Sequence, residues 1–159
     1  MRGLPAAAFA ARESMPDRRR EAGARAFGGC VLAYFAVTMS VAYPWHMLLF
    51  HEQYAAMGAF TRAEPILPLG MTAVLVQGVV FAYLFPLYLR HRGAGRPVRR
   101  GMEFGLLFGS TVYSVMVFAT AAKFEIEPVA RFLALGTAFQ LLQFLLVGAT
   151  IGWIHARRR

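Results

Sequence analysis

Apolar residues fall into four blocks, at 26–43, 66–89, 101–122 and 132–154, with polar and charged residues gathered between them. The shortest block has 18 residues. A helix needs roughly 20 to cross the hydrocarbon core of a bilayer, at about 1.5 Å per residue. The pattern predicts an all-α fold, a four-helix transmembrane bundle.

The connections refine that picture. Residues 44 to about 65 read Pro-Trp-His-Met-Leu-Leu-Phe-His-Glu-Gln-Tyr and then Ala-Ala-Met-Gly-Ala-Phe, too apolar for a solvated loop. They predict a short interfacial helix ending near Gly58, with Pro65 and Pro68 opening the second span. The 90–100 loop is short and holds Gly93, Gly95 and Pro97, so the second and third helices are expected as antiparallel neighbours. The tight 123–131 connection makes a hairpin of the third and fourth. Residues 1–25, with Pro5, Pro16, seven alanines and mixed charge, show no useful helical stripe. They are expected to form a mobile basic cytoplasmic tail, leaving 26–159 as one transmembrane domain.

Charge sets the orientation. Of 17 Lys and Arg residues, six lie in the tail (Arg2, Arg12, Arg18, Arg19, Arg20, Arg25), and three end the chain (Arg157, Arg158, Arg159). Five more lie in the 90–100 loop (Arg90, Arg92, Arg96, Arg99, Arg100). The other two connections hold only Arg62, Lys123 and Arg131. This positive-inside asymmetry places both termini in the cytoplasm and the chain in the bacterial inner membrane. A hydrophobic content of 58% excludes an ordinary soluble domain. The net charge of +9 is then a match for anionic lipid headgroups rather than for nucleic acid.

Cys30 is the only cysteine, so an intramolecular disulfide is excluded. It begins an apolar block, whereas a lipobox cysteine follows one. Ser40-Val41-Ala42 has the spacing of a signal-peptide cleavage site, but the charged region before the span is about 25 residues, long for a signal peptide. The span reads as retained. Arg18-Arg19-Arg20 is followed by Glu21 and lacks the apolar run of a twin-arginine signal.

Polar residues deep in the spans are the candidates for chemistry. Counting along each block puts Gln77, Ser110, Tyr113, Ser114 and Gln143 at mid-depth, with Gln140 one turn further out. Gln140 and Gln143 are three apart and share a helix face. Buried amides need partners, so these six are expected to point inward as one polar layer. That layer is either interhelical bonding or a small neutral-solute site. Gly101, Gly105 and Gly109 repeat every four residues, as do Gly148 and Gly152. Such GxxxG steps let helix backbones approach closely, within a bundle or across a homodimer.

No Asp, Glu, Lys, Arg or His lies in the middle third of any span. Proton relays and voltage sensors need such groups. Glu103 is expected in the first turn of the third helix, complementing its dipole beside Arg99 and Arg100. No histidines are placed on facing helices for haem. His46 and His51, five apart in the outer segment, are the one candidate metal pair, with Glu52, Glu64, Met47 or Met57 as further donors. Five residues is a poor helical spacing for a chelate, and two interfacial histidines beside Trp45 and Tyr54 are the plainer reading. Lys123, Glu125, Glu127 and Arg131 read as a solvated outer charge cluster. There is no Gly-x-Ser-x-Gly, Cys–His pair or phosphate loop.

Several stretches carry a resemblance. They are Tyr43-Pro44-Trp45 and the aromatic-rich segment after it, Gly101-Met102-Glu103-Phe104-Gly105, and Gly148-Ala149-Thr150-Ile151-Gly152-Trp153. Over 26–154 the layout resembles small bacterial four-helix integral membrane protein families of uncharacterised function. The resemblance implies the fold and brings no active site. Together these features point first to a non-enzymatic membrane bundle, a homo-oligomer or an accessory subunit among other membrane subunits, with no cofactor. The alternative is a small-solute transporter or binding protein. An outer-face metal-binding protein is third.

Overall fold

The computed structural model describes residues 6–60, 62, 64–93 and 95–157; of residues 6–20 and Ala22 it describes the backbone only. The described residues are helical with no strand. Helix α1 spans Ala6–Tyr43 and continues as a π-helical segment, Pro44–Leu49. Helix α2, His51–Ala56, is short. Helix α3 is Leu67–Arg92 and α4 is Pro97–Tyr113. A second π segment, Ser114–Phe118, leads into α5, Ala119–Lys123, and α6 is Val129–Ala156.

Four stretches are long and apolar enough to cross a membrane: Gly23–Leu49, Leu67–Arg92, Pro97–Lys123 and Val129–Ala156. They cover the four apolar blocks, short of Ile66 alone, and overrun most of their ends. Helix α4 starts four residues before its block because Pro97 suits the first helical turn, where its missing N–H costs nothing. Glu103 is therefore beyond the first turn, and the expected complement to the helix dipole is lost. Its pairing with arginine stands: Arg100 Nη1 lies 2.7 Å and Arg99 Nε 3.0 Å from its carboxylate. Helix α1 also begins earlier than the pattern predicts. The segment before residue 26 lacks an apolar stripe, yet it is rich in alanine, the best helix former.

Going round the bundle the order is α1, α3, α4, α6, each packed on the next and α6 back on α1. The α4–α6 contact is the most extensive, and α3 touches α4 only lightly. Glycine explains the first. A Cβ on Gly101 or Gly148 would strike the other's carbonyl, and one on Gly105 would strike the Phe144 carbonyl. Gly152 presses on Pro97, where a Cβ would lie 2.5 Å from the carbonyl oxygen. Both glycine series are thus spent inside the chain, backbone against backbone.

Packing divides into two clusters. One gathers Cys30, Tyr34, Phe81, Phe85, Phe104, Phe144 and Ile151 around the middle and the Arg92 end of the bundle. The other joins Tyr54, Met57, Val117, Ile126 and Phe132 beneath α2. Helix α2 stops at Met57, and Gly58 turns the chain with a φ of +78° that L side chains resist. The Glu127 amide then donates to the Met57 carbonyl at 3.1 Å, which ties the connection before α3 to the connection before α6.

Candidate functional site

The six mid-depth polar residues separate into three environments. Gln77 Oε1 accepts from the Tyr34 hydroxyl at 2.9 Å, between α3 and α1. Gln143 is buried, and its Nε2 lies 3.5 Å from Thr38 Oγ1, between α6 and α1. Ser110, Tyr113 and Gln140 line a shallow groove of about 160 Å³ between α4 and α6. There Tyr113 shares a 2.8 Å hydrogen bond with Thr137. Ser110 and Ser114 are exposed and donate back to the carbonyls of Leu107 and Thr111. A hydroxyl bonded to its own helix needs no neighbour, so these two serines face outward without cost.

Tyr34 and Thr38 are partners that the sequence reading passed over. They sit four apart on α1 and share a face. Counting to mid-depth along the first block, as along the other three, reaches them.

Gln140 is different. It is nine-tenths buried, and its Oε1 has no hydrogen-bond partner. The other unpartnered buried side-chain atom among the described residues is His46 Nδ1. Both residues line one cavity of about 210 Å³, with Tyr54, Phe60, Met116, Val117, Thr120, Phe132 and Phe139. An unsatisfied buried polar group costs about 1–3 kcal/mol. Both atoms belong to residues that line this one space, which makes it the candidate site.

Local structure explains how they get there. His46 lies in the first π segment; Met116 and Val117 lie in the second. A π turn holds an extra residue, which rotates the following side chains, and such turns recur at functional sites. The His46 ring packs 4.5 Å from Phe139 and edge-on to Tyr54 at 5.1 Å. Trp45 Nε1 donates to the Tyr54 hydroxyl at 3.3 Å. Burial pushes the Tyr54 phenol above its ordinary pKa, and the Trp45 contact opposes this.

His51 takes no part in that cavity. It lies on α2 against Phe60 and lines a separate cleft of about 450 Å³ with Met47, Arg62, Pro65, Ile66 and Leu69. Phe60 and Ala59 line both spaces. The two histidines of the candidate metal pair therefore open onto different cavities. Among the described residues no three His, Cys, Asp or Glu side chains gather as a metal site. Lys123, Glu125, Glu127 and Arg131 are exposed and make no ion pair among the described residues. His155 belongs to the opposite end, bonded to the Ile151 carbonyl at 3.0 Å and edge-on to Phe85; its Nδ1 also lies 3.9 Å from Cys30 Sγ, a Cys–His contact that the sequence pattern does not predict because the two are 125 positions apart.

Comparison with protein-family models, with curated proteins and with solved structures finds no match for this chain.

Proposed function

We propose that the protein is a non-enzymatic, multi-pass protein of the bacterial cytoplasmic membrane that holds a small neutral molecule at the outer end of its bundle. The arginine distribution supports both termini inside. His46 and the short helix α2 then belong to the outer interface, where Trp45 is also at home.

The observation that carries the binding role is a cavity lined by both His46 and Gln140, whose Nδ1 and Oε1 are buried without a protein partner. The lining residues supply no nucleophile–base pair and no charged carboxylate, which favours holding over catalysis. The homo-oligomer reading loses its main sequence motive, because Gly101, Gly105, Gly109, Gly148 and Gly152 all meet atoms of their own chain. The exposed apolar residues that remain, such as Leu69, Val76 and Tyr83 on α3, are ones that lipid covers equally well.

Native mass spectrometry of the full chain released from nanodiscs tests this. The wild type should carry a small-molecule adduct that His46→Ala and Gln140→Leu reduce. A bare wild-type mass, with no adduct regained on incubation with a membrane extract, would overturn the proposal.

A further inference from the structure

We infer that the His46–Gln140 cavity takes a single-ring phenol, its hydroxyl donating to Gln140 Oε1 and its ring lying among Tyr54, Phe60, Phe132 and Phe139. This rests on the reading of the cavity as a binding site and narrows what binds.

Three observations set the class. The first is polarity. An amide oxygen only accepts, so the occupant must bring an O–H or N–H. Tyr54 and Thr120, each with a hydroxyl, also line the space. The Tyr54 oxygen already accepts from Trp45, which leaves its own O–H to donate. A hydroxyl answers both needs at once, giving a proton to Gln140 and accepting another. With its proton on Nδ1, His46 is a further donor to the same oxygen.

The second is size. An apolar cavity of about 150 Å³ holds benzene in another protein. This one, at about 210 Å³, admits one ring and its substituents. It is below the roughly 300 Å³ at which drug-sized pockets begin.

The third is the wall. Four phenyl or phenol rings and an imidazole surround the space, with the Met116 thioether among them. Aromatic pairs gain beyond area burial alone, and sulfur also favours ring edges. Such a wall prefers a flat aromatic ring to an aliphatic one of equal volume. The lining holds no Lys or Arg to pair with a carboxylate, so the neutral phenol is favoured over an acid. Such a molecule also partitions into lipid. The larger cleft shares Phe60 and Ala59 with the cavity. It is bordered by exposed Ile66 and Leu69, which provides an approach from the membrane side.

The test uses the full chain in nanodiscs with Trp153→Phe, so that Trp45, beside Tyr54 and Phe139, is the sole tryptophan. Phenol, anisole and cyclohexanol are titrated against Trp45 fluorescence. Phenol should bind saturably. Anisole, which lacks the donor, and cyclohexanol, which lacks the flat ring, should each bind about tenfold more weakly, the equivalent of one hydrogen bond or ring contact. Gln140→Leu should weaken phenol about tenfold and leave anisole unchanged. It removes an unpartnered amide, so it should fold at least as well as the wild type. Anisole matching phenol would overturn the hydroxyl assignment, and cyclohexanol matching phenol would overturn the ring. In both cases the cavity still binds, and the functional proposal stands. Saturable binding of none of the three overturns the inference, and the native mass spectrum then decides the functional proposal separately.

Discussion

Gly101 and Gly148 meet backbone to backbone, so close that a β-carbon on either would collide with the other's carbonyl group. The same line continues through Gly105 against Phe144 and through Gly152 against Pro97. Helices α4 and α6 therefore touch along a seam of main chain with almost no side chain in it.

That seam should tolerate no added volume. Gly105→Leu is expected to lower stability by about 1–3 kcal/mol, the usual cost of an overfilled interior. Gly105→Ala should already be harmful. Gly28→Ala on α1, where a Cβ meets nothing within 4 Å, should leave the melting temperature in detergent unchanged or slightly raised. Equal melting temperatures for the Gly105 and Gly28 variants would contradict the seam.

Gly58→Ala should cost about 1–2 kcal/mol from its left-handed backbone alone. Its new methyl would also press on the Glu125 carbonyl oxygen, 2.8 Å away. Thermal unfolding of the variant should show the loss, and proteolysis should become faster at the outer connections.

Tyr34 and Gln77 form one hydrogen bond across α1 and α3. A double-mutant cycle of Tyr34→Phe and Gln77→Leu should return a coupling near the ~0.6 kcal/mol typical of such bonds in membranes. Strict additivity would show that the contact contributes nothing.

The two α6 amides should respond differently to leucine. Gln143→Leu removes a long 3.5 Å contact with Thr38 and should lower stability slightly. Gln140→Leu removes an unpartnered oxygen and should leave stability unchanged or raise it. Loss of growth or binding in the folded Gln140→Leu protein, but not in Gln143→Leu, would separate the cavity from the packing contact.

Orientation is tested with reporters. One fused after Arg159 should be cytoplasmic, and one inserted near Thr61, outside the described residues, should be external. A cytoplasmic signal near Thr61 would reverse the placement of the cavity. Moving about four arginines from the 90–100 loop to the outer segment should disturb insertion.

The four long helices were legible because a continuous apolar block has few other solutions in water or lipid. The glycine spacing was legible too, but not its partner. Spacing records a smooth face on Gly101, Gly105 and Gly109 and cannot say whether Gly148 of the same chain or of another fills it. The polar layer was read from depth alone, which ignores rotation about the helix axis. Depth was enough for Gln143 and Gln77 but placed Ser114 with them, although it points outward and bonds its own helix. The sequence pairs His46 with His51, yet the two line different cavities. The π segment turns His46 towards Phe139. One extra residue in a turn leaves no trace in composition, and a count at 3.6 per turn passes over it.

The Thr38–Gln143 contact also places the parts of this molecule in time. The two residues are 105 positions apart in sequence, and at ribosomal rates of about 5–20 residues per second one is made roughly 5–20 s before the other. For that interval α1 and α3 lack the α6 face that covers them, held to each other by the Tyr34–Gln77 bond and by Tyr34 packed on Phe81 and Gly78. Helix α6, made after α1, α3 and α4, carries Gln140, Gln143 and half of the glycine seam. A stalled or truncated chain that lacks it would leave Thr38 of α1 without its Gln143 partner and uncovered.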